Sequence, residues 1–157
     1  MKKIIYFTAL VISTLTSCEE EEDTIPSILT DNCELPNGHL KWSAGGSQTC
    51  ANASLFGDLA IIMTINGISL TGETFTLELD DVTPGTYAMT TDTNHILHTD
   101  QLGMAWESSN AMPCTLQVLS NNTSSNLLEA NFSGTLKSPL GLTKVINSGT
   151  VKVRYTD

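Results

Sequence analysis

The chain has 157 residues, with 7 Lys and Arg against 17 Asp and Glu and a formal net charge of −10. That balance excludes nucleic acid as a partner, because such binding draws on Lys and Arg to displace counterions from phosphates. Charged residues make up only 15% of the chain, and its wealth of Thr, Ser, Asn and Gly favours strands and turns over amphipathic helices. At this length one domain buries about two thirds of its unfolded surface, so a single core is expected.

Taken in order, the chain opens as a secretory leader: Lys2 and Lys3, an apolar stretch from Ile4 to Leu15 broken by Thr8, Ser13 and Thr14, then small residues before Cys18. The stretch is shorter than the about 20 apolar residues that span a bilayer, and no later segment approaches that length. Leu15-Thr16-Ser17-Cys18 resembles the lipobox of bacterial lipoproteins, in which the cysteine sulfur receives a diacylglycerol and the leader is removed. A thiolate is the nucleophile that chemistry needs, and two or three acyl chains anchor a protein stably where one does not. Loss of residues 1–17 leaves five basic residues against seventeen acidic ones.

The run Glu19-Glu20-Glu21-Glu22-Asp23 resembles the acidic export signal that follows the lipidated cysteine in surface lipoproteins of the Bacteroidota. The resemblance implies display on the outer face of the outer membrane. As a block of like charge the run is also a solvated, self-repelling tether. Asp23-Thr24-Ile25 resembles a short pattern that these bacteria glycosylate on oxygen, with Thr24 as acceptor. Residues 18–37 then read as anchor, acidic run and linker, punctuated by Pro26, Pro36 and Asn37-Gly38, and residues 38–157 as one β domain.

Alternation marks the strands of that domain. His39 to Ala44 forms a short first strand with Trp42, and Ser54 to Ile65 a long second one with Leu59, Ile61, Met63 and Ile65 on one face. Asn66-Gly67 reads as a turn. Phe75, Leu77 and Leu79 alternate with Thr74, Thr76 and Glu78; Tyr87 and Met89 lead a fourth strand; His95 to His98 and Leu102 to Glu107 are shorter ones. Cys114, Leu116 and Val118 share a face, as do Leu128, Ala130, Phe132, Gly134 and Leu136, with Asn121 to Asn126 as the hairpin tip between them. Gly149 to Tyr155 closes the chain with Val151, Val153 and Tyr155 inward. Strands at this spacing predict an antiparallel β-sandwich of eight or nine strands, with a closed lipocalin-like barrel as the alternative.

Three further pieces, Gly85-Thr86-Tyr87, Asn131 to Leu136 and Val145 to Val151, resemble in succession uncharacterised all-β lipoprotein domains of the Bacteroidota. The resemblance implies an all-β lipoprotein module and brings no catalytic residues with it.

Chemistry-bearing residues are few. With Cys18 committed to lipid, Cys33, Cys50 and Cys114 allow one intramolecular disulfide, and Cys50 with Cys114 is the favoured pairing. His95 and His98 stand between Asp92 and Asp100, but residues three apart on a strand point to opposite faces, so no metal site is expected. Glu78, Asp80 and Asp81 lack the spacing of a calcium loop and read as strand-end acids before a turn. No Ser-His-Asp spacing, Gly-x-Ser-x-Gly elbow or phosphate-cradling loop appears, and no cofactor is expected. Trp42 and Trp106 are candidate platforms for a ligand, although aromatic residues are scarce enough that each is also wanted in the core. The expected function is that of a non-enzymatic, lipid-anchored surface module that binds an extracellular glycan or protein. A small-ligand carrier on a barrel is the alternative.

The expected address is testable in cells. Cys18→Ala releases the protein from membranes, and neutral residues in place of Glu19 to Glu22 leave it anchored but hidden from externally added protease. A neutralised variant that stays fully accessible to protease contradicts the export reading.

Overall fold

A computed structural model describes residues 38–58, 62–92 and 94–155. The chain divides between Thr30 and Asp31, and all described residues belong to the second unit. The leader, Cys18, the acidic run Glu19 to Asp23 and the linker up to residue 37 lie outside the described residues, as do Leu59 to Ile61.

The described residues form ten strands and no helix: β1 (Gly38–Ala44), β2 (Ser47–Asp58), β3 (Ile62–Ser69), β4 (Thr74–Leu79), β5 (Gly85–Met89), β6 (His95–Thr99), β7 (Ala105–Glu107), β8 (Cys114–Asn122), β9 (Leu127–Lys137) and β10 (Thr143–Arg154). Period-two alternation explains their faces. In β4, Phe75, Leu77 and Leu79 are buried while Glu78 is exposed, and β8 and β9 follow the same rule.

All pairings are antiparallel. They run β1–β2–β3–β4–β6–β7–β9–β10, and β10 returns to β1 from Gly38↔Val153 to Ala44↔Ile146. These eight strands close into a barrel. The predicted sandwich does not form, because the pairing of first and last strands leaves no second sheet to face the first. Alternation alone cannot tell the two apart, since both bury one face per strand. Bulges help the ring to curve: register shifts at Ser43/Ala44 in β1 and Ile146/Gly149 in β10 add local bend and twist.

Two other expectations change. The long second strand is two strands, β2 ending at Asp58 and β3 starting at Ile62, and Asn66-Gly67 lies inside β3 rather than in a turn. Gly67 faces the interior, where a β-carbon would meet Leu40 and Ala51 at 3.1 to 3.2 Å. Strand β9 has three partners: Leu127 to Ser133 pair with β8, Lys137 pairs with Glu107 of β7, and its other edge carries β10. Strand β5 continues the branch beyond β8.

An eight-stranded ring is just wide enough for side chains to fill it. Here Trp42, Phe75 and Phe132 stack across the middle with 5.0 Å between successive ring centroids. Phe132 lies directly on Gly149, leaving no room there for a β-carbon. Gly134, at φ 146°, lets Cys114 approach in the same way. Cys114 is a free, buried thiol whose pKa burial pushes up to about 11. The expected Cys50–Cys114 bridge is therefore absent. Cys50 is itself disulfide-bonded.

Ser108 ties the branch to the ring. It is fully buried, donates to the Thr90 carbonyl at 2.8 Å and accepts the Ile96 N–H at 2.9 Å, while its own N–H reaches the Ile96 carbonyl. Removing a hydroxyl that serves two buried backbone groups costs about 1–3 kcal/mol. Ser108→Ala is expected to lower the unfolding free energy by that amount in urea titration, while Ser124→Ala at the exposed hairpin tip changes it by less than about 0.5 kcal/mol.

Candidate ligand cleft at one end of the barrel

Strands β1 and β6 finish, and β2, β4, β7 and β10 begin, at the same end of the ring. A cleft of about 460 Å³ opens there, lined among others by Trp42, Thr49, Glu73, His98, Trp106 and Lys144. Its volume lies within the range of small-molecule sites, about 300–1,000 Å³. The strand period places the lining. Trp42 shares the inward face of β1 with Leu40, His98 that of β6 with Ile96, and Trp106 is the buried centre of β7.

The two tryptophans proposed from the sequence thus come together in one site, and both are also core residues, 1% and 7% exposed. Trp42 forms the floor. His98 meets it edge-on at 5.7 Å between centroids and lies 5.4 Å from Phe75, so the floor of the cleft is the outer layer of the aromatic stack.

His98 is the unusual member. It is 1% exposed, and neither ring nitrogen has a hydrogen-bond partner. Its Nε2 stands 3.8 Å from Oε2 of Glu73, beyond hydrogen-bond length. Burial, assisted by the charge of Lys144 and opposed by Asp100, lowers its pKa to about 4. The imidazole is neutral at physiological pH and offers one donor and one acceptor.

A second cluster forms the wall. The Trp106 indole N–H donates to Asp100 Oδ2 at 3.0 Å, and Asp100 Oδ1 accepts the backbone N–H groups of Leu102 and Met104 at 3.0 Å each. Lys144 reaches over from β10, 3.5 Å from Asp100 Oδ2 and 4.5 Å above the Trp106 ring. Led by the Trp106 bond, these contacts lower the Asp100 pKa to about 2.

Other candidates stay apart. His95 points outward between Glu78 and Glu107, 3.8 and 3.5 Å away, on the face opposite His98 as its spacing requires. Asp81 accepts the Thr83 N–H at 2.8 Å, a turn contact of a strand-end acid. No group of three or more His, Cys, Asp or Glu among the described residues is arranged to hold a metal ion. Glu73 and Lys144 were not singled out by the sequence, because nothing in their local pattern shows that two distant strand starts meet. His98 carried a signal: it is a polar residue at an inward position of a strand. Comparison with protein-family models, with curated proteins and with solved structures finds no match.

Two pH windows follow. The folded state resists protonation of His98, so stability falls as pH drops from about 6.5 to about 4, by about 2–3 kcal/mol. His98→Phe removes that slope. The stabilisation due to ionised Asp100 is complete above about 4 and is lost as pH falls toward about 2, so the stability gap between wild type and Asp100→Asn closes there. Urea midpoints measured from pH 7 to pH 2 read both.

Proposed function

We propose that this chain is an exported protein, held by lipid on Cys18 at the outer membrane and displayed on the cell surface, whose barrel binds a small ligand in the cleft at its open end. The reading is of a binding protein, not an enzyme. One observation carries it: a fully buried His98 with both nitrogens unpartnered lines a cleft of ligand size, beside two tryptophans. Unpaired buried polar groups are costly, and a ligand that pairs them recovers that cost.

The lining also points to the ligand's chemistry. Glu73 repels a carboxylate and favours donors, Lys144 repels a cation and favours acceptors, and neutral His98 offers one of each. Hydroxyl groups satisfy all three, since each both donates and accepts. A neutral, hydroxyl-bearing molecule with an apolar face for the tryptophan edges fits best. The end of an extracellular glycan shares this chemistry with a free polyol or sugar. Because the barrel interior is filled by the aromatic stack, the ligand sits at the mouth, above Trp42.

The chain has two tryptophans, and both line the cleft. Intrinsic fluorescence therefore reads this site directly. Titration with a panel of monosaccharides, disaccharides and alkyl glycosides is expected to give a saturable change for at least one compound. Thr49→Phe, which fills the cleft from β2, weakens that response by about tenfold or more. A flat response to the whole panel, or a response indifferent to Thr49→Phe, refutes the cleft as a binding site.

A further inference from the structure

We propose that the cleft end of the barrel docks on a lipid surface through leucines carried by three matching turns. The proposal rests on observations separate from those that define the cleft's ligand. The turns are Ser69 to Glu73 between β3 and β4, Asp100 to Met104 between β6 and β7, and Ser138 to Leu142 between β9 and β10. Each has the same wiring. The N–H of the first residue donates to the carbonyl of the fifth at 2.9 to 3.0 Å, and the N–H of the glycine at the fourth position donates to the carbonyl of the first at 2.9 to 3.1 Å. The fifth N–H donates to the side-chain oxygen of the first, Ser69, Asp100 or Ser138, at 3.0 to 3.1 Å. The glycines Gly72, Gly103 and Gly141 all have φ between 79° and 85°.

A turn of this kind in water is usually tipped with Asn, Asp, Ser or Gly. These three are tipped with Leu70, Leu102 and Leu140, which are 75%, 93% and 75% exposed. Leu142 and Val145 are exposed beside them, as is Ile68 at the end of β3, so six of the eight large hydrophobic side chains exposed among the described residues stand at this end. The fourth turn of the same end is Gly45-Gly46, and no residue between the anchoring first and fifth positions of any of the three is charged. The opposite end differs: its links carry the exposed acids Asp80, Asp81 and Asp92, and its β8–β9 tip, Thr123 to Asn126, is wholly polar.

Three properties select a bilayer as the occupant. The leucines stand on separate turns around a polar cleft, an interrupted pattern that a fluid layer covers and a single rigid apolar face does not. Each turn bonds the N–H groups of its first, fourth and fifth residues internally, which lowers the cost of bringing its backbone toward hydrocarbon. The exposed Lys137 stands at the base of the third turn, placed to meet lipid phosphates while the leucines pass below them.

The test places an environment-sensitive dye on Gln101→Cys, next to Leu102, or on Ser124→Cys at the other end, in the full chain mixed with phosphatidylethanolamine–phosphatidylcholine vesicles. Emission from position 101 is expected to shift to the blue and that from position 124 to stay water-like, with the shift at 101 kept in high salt, where only the Lys137 contribution is screened. Leu70→Asn, Leu102→Asn and Leu140→Asn together abolish the shift at 101 and lower vesicle partitioning by about tenfold or more, with the thermal melt unchanged. A dye at 101 that remains water-like overturns the proposal. So does a shift at 124, loss of the signal in high salt, or sedimentation showing that the leucines instead join two copies of the chain without lipid.

Discussion

A ring of strands has no free edge only where its last pair closes, and at the cleft end of this barrel that pair is Glu107 with Lys137. One residue pair is a thin seam. At the other end β8 and β5 branch from the ring, and strand β9 serves both ring and branch by dividing one of its edges between β7 and β8. Ser108 holds that branch to the ring, since its hydroxyl bonds the residue after β5 and a residue of β6 together. Across the mouth, Lys144 reinforces the thin seam by reaching from β10 to Asp100 and to the ring of Trp106.

This arrangement explains why the cleft lies where it does. Strand β7 has three residues, so the wall between β6 and β9 is short, and Trp106 with its Asp100 bond fills the place that a longer strand would occupy. The aromatic stack stops one layer below. What remains between the stack and the turns is the space lined by His98 and Glu73. The barrel is thus polarised: an end with acidic links, a packed middle, and an end where polar groups sit recessed behind apolar tips.

The faces of most strands were legible from alternation, because a buried face imposes period two wherever it occurs. Phe75, Leu77 and Leu79, or Leu128, Ala130 and Phe132, could hardly be read otherwise. Closure was not legible, since it depends on bulges and on which strand meets which. Asn66-Gly67 misled because its glycine answers a packing demand from Leu40 and Ala51, not a turn. The cysteine pairing failed for a similar reason: Cys114 shares an apolar face and packs against Gly134, and its spacing carries no mark of whether a second sulfur faces it. The tryptophans were legible as a pair of aromatic candidates. Their charged neighbours were not, because Glu73 and Lys144 meet only once the ring is closed.

That β1 pairs with β10 has a kinetic consequence. The hairpins β1–β2, β2–β3 and β3–β4 are local and can form as soon as their residues exist, but the seam between first and last strands waits for Thr143 to Arg154. Until then Leu40, Trp42, Ala51 and Met63 have only part of their apolar cover, and no partial chain reaches a finished core. Such a chain stays pliable while it is being made and becomes rigid in one late step.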